Sequence, residues 1–210
     1  MPFFENPVRH GAKIFWFYDI VHIIKNCRTH LLNQGFLLQS GVTINKAIFE
    51  SLIQKLGNSD VRMAYKITPE LINVRDQDAQ RVHLATKLLS KTTSDALIHL
   101  FPNNPLMLEC AKFIRKADGW FDVFNSNQKY DIKDEKCAYE IHLDHQTQVI
   151  QEFANEVANL KVYTGKGNNV TRALQPWKHG VLIATKGLPL LFEYLKESYD
   201  ITYLLSLIHI

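Results

Sequence analysis

The sequence predicts a mainly α-helical fold that begins with one short strand–helix unit. From Gly35 onward, apolar residues recur at intervals of three and four along almost the whole chain, which is typical of amphipathic helices. Before Gly35, a β-prone apolar run from Ile14 to Tyr18 leads into a helical pattern. The chain has 210 residues, 46% of them hydrophobic, which is enough to bury a core of ordinary size.

Asp19 separates the predicted buried strand from the first predicted helix, Ile20 to Leu32. Two roles fit an acid at this point. Its side chain can cap the helix, or its carboxylate can bind a metal ion at the end of a strand. The residues alone leave both roles open. Gly35 is expected to end the helix, because glycine tolerates the left-handed conformation common at that position.

The other predicted helices are separated by breaks at 101–105, 125–136 and 164–169, which are rich in Gly, Pro, Asn and charged residues. Thr68, Pro69 and Glu70 have the order of a cap, a first-turn proline and a first-turn acid. The predicted helices are 45–55, one beginning after Thr68, 78–99, 106–123, 142–162 and 187–199.

The composition excludes a disordered tail and a membrane protein. The net charge of +3 permits contact with nucleic acid without indicating it. No apolar run approaches the ~20 residues of a membrane helix, and no secretory signal pattern opens the chain. The three cysteines are widely spaced, so we expect reduced thiols in a soluble intracellular protein.

Short motifs give weak signals when they are read alone. The sequence GKGNN at 165–169 lacks the spacing of a phosphate-binding loop. His142 and His145 lie one helical turn apart, but no third metal ligand is evident. Phe121 and Asp122 close an apolar helix; they either pack in the core and end the helix, or stack on and read a guanine base.

Five segments in order resemble the P-element and THAP-domain transposase family. They extend over nearly the whole chain, from about residue 5 to residue 205. The segments are FYDIVHIIKNCRTHLL (17–32), AYKIT (64–68), RVHLATKLLSKTTSDAL (81–97), FIRKADGWFDVFNS (113–126) and PWKHGVLIATKGLPLLFEYLKESYDITYLL (176–205).

The resemblance implies an RNase H-like core with two Asp and one Glu around Mg²⁺, interrupted by a helical insertion that binds GTP. It implies transposon-end DNA as a partner of the full-length protein, a nuclear location and self-association as a further expectation. Asp19 matches the second catalytic, metal-binding Asp. The expected domains are a core segment at 1–35, the insertion at 36–190 and a return toward the core at 191–210.

The same resemblance assigns nucleotide-binding residues. Lys66 would serve the sugar-phosphate side, Phe121 would stack on guanine and Asp122 would read it. Two departures from the family pattern stand out: Arg81 replaces a lysine, and Leu71 replaces a histidine. The full set carried over is Lys66, Arg81, Val82, Ser90, Asn104, Phe121 and Asp122.

The other two catalytic acids of the family would precede Met1 and follow the end of the chain. We therefore expect the chain alone to show no nuclease activity, because one carboxylate does not assemble a two-metal site. The main reading is a fragment of a P-element-like transposase. The alternatives are a domesticated, non-catalytic helical module that binds DNA or protein, and a pseudogene product.

Overall fold

The computed structural model describes residues 1–57, 66–73, 81–163 and 175–206. Within these ranges there are seven α-helices and five short strands, so the prediction of a mainly α fold is confirmed. The helices are Ile20–Asn33 (α1), Lys46–Gly57 (α2), Val82–Leu88 (α3), Lys91–Leu100 (α4), Pro105–Phe124 (α5), Leu143–Asn159 (α6) and Pro176–Tyr199 (α7). The strands are Phe3–Glu5 (β1), Lys13–Phe15 (β2), Phe36–Leu37 (β3), Thr43–Ile44 (β4) and Lys161–Val162 (β5).

The N-terminal strands form an antiparallel hairpin in which Phe3 pairs with Phe15. The sequence predicted a longer, buried strand over Ile14 to Tyr18, and this was wrong. β2 ends at Phe15 and Ile14 is 36% exposed. Among the described residues β2 pairs only with β1, so the two strands form a two-stranded sheet.

Helix α1 begins at Ile20 as predicted and ends one residue later than expected, at Asn33. Gly35 follows with a φ of +78°, the left-handed conformation that glycine adopts without strain. The buried face of α1 packs against α7 and α3. α1 therefore lies at the centre of the core, and its first turn lies near α3.

Helix α7 begins at Pro176, well before the predicted start at Gly187. Gly180 and Gly187 lie inside the helix without ending it, and both allow neighbouring side chains to pack closely against its backbone. A Cβ at Gly180 would lie 2.7 Å from Ile23 Cδ1, and one at Gly187 would lie 2.8 Å from Phe17 Cε1. α7 also runs through residue 190, where the sequence placed a domain boundary that stays a prediction.

The long helix predicted over 78–99 is two helices in the described part. α3 ends at Leu88, and Ser90 starts α4 by accepting a hydrogen bond from the Thr93 amide at 3.3 Å. Residues 78–80 lie outside the described ranges. The apolar spacing continues across the break, which is why periodicity alone missed it.

Helices α5 and α6 pack together through a buried aromatic cluster, and α5 also packs against α4. Trp120 on α5 donates a hydrogen bond from Nε1 to Thr185 Oγ1 on α7 at 3.0 Å. That bond helps to hold the Trp120 side of α5 against α7. The directions of the neighbouring residues on α5 follow from the helical period.

The helix predicted to reach Val162 ends at Asn159, because Lys161 and Val162 pair with β3 instead. β5, β3 and β4 form a small antiparallel sheet that the sequence did not predict. Thr68 to Glu70 was expected to open a helix and gives a single 3₁₀ turn, Pro69–Leu71. The turn predicted at 164–169 lies outside the described residues.

None of the helices in the described ranges is long and apolar enough to cross a membrane. The three cysteines are free and buried. Burial raises the pKa of the Cys27 and Cys110 thiols, so both remain protonated at neutral pH.

Candidate nucleotide-binding site

A cavity of about 460 Å³ opens where the C-terminal turns of α5 face α3, the first turn of α1 and the connecting segment 125–136. Val21, Val82 and Phe121 give the cavity an apolar part, and the connecting segment contributes lysines. The lining residues are Val21, Val82, His83, Thr86, Asp118, Phe121, Asp122, Asn125, Lys133 and Lys136.

Asp122 is the buried charge of this cavity, with a side chain that is 8% exposed. Its Oδ2 accepts a hydrogen bond from Lys133 Nζ at 2.6 Å, and its Oδ1 lies 3.7 Å from Lys136 Nζ. Burial raises the pKa of Asp122 above its ordinary value, while the hydrogen bond from Lys133 acts in the opposite direction. Asp122 is thus a desolvated carboxylate that depends on nearby cations.

Lys133 lies between two acids. Its Nζ is 3.2 Å from Asp118 Oδ2 as well as 2.6 Å from Asp122 Oδ2. Burial lowers the pKa of Lys133, but the hydrogen bond to Asp122 and the charges of both acids outweigh it and raise the pKa overall. The ammonium is therefore charged across the physiological range.

A second cavity, of about 340 Å³, adjoins the first and shares Asp118, Asp122 and Lys133 with it. It is also lined by basic groups from α4 and α5, namely Lys91, Arg115 and Lys116, and by the acids Glu135 and Glu152. Because the two cavities share Asp118, Asp122 and Lys133, we refer to them together as the cleft; Val21, Val82 and Phe121 line its first cavity, and cations and acids line its second.

Three of the residues assigned to the nucleotide by resemblance line the first cavity together: Val82, Phe121 and Asp122. Arg81 immediately precedes Val82 and is exposed at the start of α3. Ser90 caps α4, and its neighbour Lys91 lines the second cavity. These five residues lie on the elements around the cleft.

Asn104 and Lys66 do not line either cavity. Asn104 caps the opposite end of α5, where its Oδ1 accepts from the Leu106 amide at 3.1 Å. Eighteen residues of helix, about 27 Å at 1.5 Å per residue, separate it from Asp122. Lys66 is exposed before the turn at Pro69–Leu71. Both assignments stay predictions from resemblance.

Sequence reasoning missed Lys133, Lys136 and Asn125 because it treated 125–136 as a surface loop. The signal was present in the charged run KDEK at 133–136. A charge run usually covers a solvated surface, however, and its position against Asp122 depends on tertiary structure. The run is held in place at Cys137, whose carbonyl accepts from Gln146 Nε2 on α6 at 2.9 Å.

Asp19 lies at the N-terminus of α1 and caps it. Its Oδ1 accepts from the Val21 amide at 2.8 Å and from the His22 amide at 3.2 Å. Among the described residues, no group of three His, Cys, Asp or Glu side chains is arranged to hold a metal ion. Asp19 with His22 nearby is not an oxygen-rich ligand set for Mg²⁺, so these residues do not fit that ion by themselves.

A larger groove of about 1210 Å³ lies between β2, the end of α7 and residues 199–205. Its walls are mostly apolar and aromatic, including Phe15, Phe17 and Tyr194. A nucleotide requires groups that read its base and neutralise its phosphates. The smaller cleft around Asp122 supplies both kinds of group, so it is the better candidate.

Comparison with known proteins points to the same family as the sequence motifs. The family described as "TNP-like, GTP-binding insertion domain" matches residues 21–137. The Transposable element P transposase of Drosophila melanogaster is 28% identical over an alignment of 211 positions that covers 97% of this chain and 26% of that protein.

A solved structure, the Drosophila P element transposase strand transfer complex, matches with a TM-score of 0.84 and 26% identity. The match covers 98% of this chain and 46% of that chain, so this chain corresponds to less than half of the solved one. The cleft elements α3, the start of α4, α5, segment 125–136 and all of α1 except Ile20 lie inside the family match at 21–137, whereas α6, which adds Val149 and Glu152 to the second cavity, lies beyond it. The chain therefore belongs to the P-element-like transposase family and contains its GTP-binding insertion domain.

Proposed function

We propose that this chain binds GTP in the cleft between α3, the C-terminal turns of α5 and segment 125–136. The observation that carries the proposal is the buried Asp122 carboxylate beside Phe121 at the wall of a cavity. A buried carboxylate held beside cations at the wall of a cavity is typical of a binding site. The family match at 21–137 supplies the nucleotide class.

The preference for guanine follows from the hydrogen-bonding pattern of the two purines. Guanine presents N1–H and N2–H donors on one edge, and an ionised carboxylate accepts both. Adenine presents an unprotonated N1 at the corresponding position, so the lone pairs of Asp122 would face another lone pair. Each charge-assisted bond contributes roughly 1.5–3 kcal/mol.

The remaining parts of the nucleotide have partners along the same cleft. Phe121 and Val82 offer apolar surface to the base. Lys91, Arg115 and Lys116 line the second cavity and would contact the phosphates in exchange for the acids they pair with in this structure, Asp95 and Glu156. Arg81 adds positive charge at the start of α3.

In a longer protein, this nucleotide site would help to position transposon-end DNA for metal-dependent strand cleavage and transfer by an RNase H-like core in the nucleus. The support is the likeness to a strand transfer complex over 98% of this chain. Asp19 would supply one carboxylate to that core. The remaining ligands would come from the rest of the longer protein.

The test is isothermal titration of the purified chain with GTP and with ATP. GTP should bind more tightly than ATP, and Asp122→Ala should remove that preference. Asp144→Ala is the matched control, because Asp144 is an exposed acid on α6 that lines neither part of the cleft. Equal affinity of the wild type for both nucleotides would contradict the proposal and favour a non-catalytic binding module.

A further inference from the structure

Lys133 makes the shortest contact to Asp122 of any side chain that the structure describes at the cleft. Its Nζ is 2.6 Å from Asp122 Oδ2, whereas Lys136 Nζ is 3.7 Å from Asp122 Oδ1. The sequence motifs assign no role to Lys133. Without Lys133, the balance between the ionised and the protonated form of Asp122 would change.

Charged and titratable groups from several elements share a cavity with Asp122; the second cavity contributes Lys91 on α4, Arg115 and Lys116 on α5, Glu135 in the connecting segment and Glu152 on α6. Asp118 on α5 is a like charge, and it shares Lys133 with Asp122. His83 on α3 lines the same cavity, and Lys133 and Lys136 approach from the connecting segment. Burial and Asp118 both favour a protonated Asp122, so the lysines must offset them for the acid to remain ionised.

The protonation state of Asp122 decides which purine it can recognise. Ionised, it only accepts hydrogen bonds and suits the two donors of guanine. Protonated, it donates one hydrogen bond and accepts another. That pattern suits adenine, whose N1 accepts and whose N6 amino group donates. A neutral Asp122 would therefore no longer discriminate guanine from adenine.

We infer that Lys133 is the positioning residue that makes the cleft selective for guanine over adenine, because its ammonium holds Asp122 as an ionised double acceptor. This inference rests on the proposed function. A carboxylate has lone pairs on both oxygens for several donors. Asp122 can therefore keep Lys133 while it accepts the guanine edge.

The backbone around Lys133 is built to hold its side chain at this place. Its amide donates to Asp131 Oδ1 at 3.1 Å, and its carbonyl accepts from the Lys136 amide at 2.9 Å. The Asp131 amide in turn donates to Cys137 Sγ at 3.3 Å. These bonds close a compact turn under Lys133 and distinguish it from a freely moving surface lysine.

The experiment measures the affinities of GTP, ATP and guanosine for the full chain and for Lys133→Met, from neutral to mildly acidic pH. In Lys133→Met, GTP should bind more weakly and the loss should grow as the pH decreases, since removal of an adjacent opposite charge favours the protonated form of Asp122. The GTP-over-ATP ratio should fall further as the pH decreases. The decline should begin at higher pH than in the wild type.

Two variants serve as controls. Lys133→Arg keeps the cation and should restore guanine selectivity. Lys129→Met removes a lysine of the same segment that contacts the rings of Tyr130 and Tyr203 instead of the cleft, and it should behave as the wild type. Circular dichroism of each variant confirms that it is folded.

The outcomes separate this inference from the proposed function. If the wild type prefers GTP and Lys133→Met keeps the same ratio and pH profile, the inference is overturned while the proposed function stands. If Lys133→Met loses affinity for GTP but not for guanosine, Lys133 contacts the phosphates and the inference is also overturned. No guanine preference in the wild type overturns the proposed function itself.

Discussion

Asp19 and Asp122 lie at opposite kinds of helix end and have opposite environments. Asp19 precedes α1, has a side chain that is 56% exposed, and uses Oδ1 to cap two backbone amides. Asp122 lies near the C-terminus of α5, has a side chain that is 8% exposed, and is paired with lysine. The macrodipole favours an acid at the first position and disfavours one at the second.

The difference shows how to judge whether an acid identified from sequence has a structural role or a binding role. A structural account of Asp19 is complete without any ligand, because capping alone explains an aspartate at that position. Asp122 has no capping role: it loses solvation where the helix end is also negative, and its charge is balanced by Lys133 and Lys136. The surrounding packing differs as well: the Asp19 region closes on α7 at Gly180, whereas the Asp122 region opens into a cavity.

The largest expected effect is a change of nucleotide specificity in Asp122→Asn. The asparagine amide donates where the carboxylate accepted, so it repels the N2 amino group of guanine and suits the C2 carbonyl of xanthine. We expect GTP affinity to fall about a hundredfold or more, from two charge-assisted bonds. Titration with xanthosine triphosphate should show binding that the wild type lacks. Retained GTP affinity would remove the distinction between the two aspartates.

The next effect is a loss of stability in Gly180→Val, which tests the closed packing of the Asp19 region. A Cβ at residue 180 would approach Ile23 Cδ1 to 2.7 Å and Tyr18 Cβ to 3.2 Å. Overpacking of this kind typically costs about 1–3 kcal/mol. The midpoint of thermal unfolding should fall by several degrees.

Gly57→Val is the matched control for that change. Gly57 also lies in a helix, α2, but a Cβ there meets no described atom within 4 Å. Its effect should be limited to helix propensity. Equal losses at residues 57 and 180 would show that close approach of α1 and α7 is not what stabilises this region.

A smaller effect is expected for Asp19→Ala, which removes the acceptor for the Val21 and His22 amides. Loss of a helix N-cap typically costs about 1 kcal/mol. Urea unfolding should show this loss, while GTP affinity stays unchanged. Asp19→Asn should retain most of the stability, because asparagine caps about as well as aspartate. For the stability and the GTP affinity of this chain, the same Asp-to-Asn change would then be nearly silent at residue 19 and decisive at residue 122.

The sequence predicted the packed regions better than the cleft. The bounds of α1 and α5 followed from apolar periodicity and caps, because those signals are local. The start of α7 did not, since Gly180 and Gly187 look like helix breakers until their contacts with Ile23 and Phe17 are known. The two-residue strands are too short to have a period, so pairing in three dimensions alone defines them.

For the cleft, the residues alone favoured packing and a helix-end role for Phe121 and Asp122 over recognition of a base. Resemblance to a family singled them out, and the fold then brought them beside Val82. Resemblance also chose Asn104, which the fold leaves at the far end of the same helix. Lys133 could not be found by either route, because its contact with Asp122 depends on how segment 125–136 folds back onto α5.

The smallest expected effect is a pH-dependent difference in stability between the wild type and Asp122→Asn. Burial raises the folded-state pKa of Asp122 above its ordinary value of 3.8, so the folded protein holds this proton more tightly than the unfolded chain does. The resulting stabilisation is fully present below pH 3.8 and is lost as the pH rises through the raised pKa. Asparagine has no such titration.

The free energy of unfolding of Asp122→Asn, relative to the wild type, should therefore increase as the pH rises from about 4 toward neutrality. The raised pKa of Lys133 does not interfere, because its own titration lies above pH 10.5. Urea unfolding at several pH values measures the difference, and other titrating groups cancel between the two proteins. A relative stability that falls with rising pH would mean that the lysines overcompensate for burial. Asp122 would then form an ordinary structural ion pair with the lysines, and its burial would no longer indicate a binding role that Asp19 lacks.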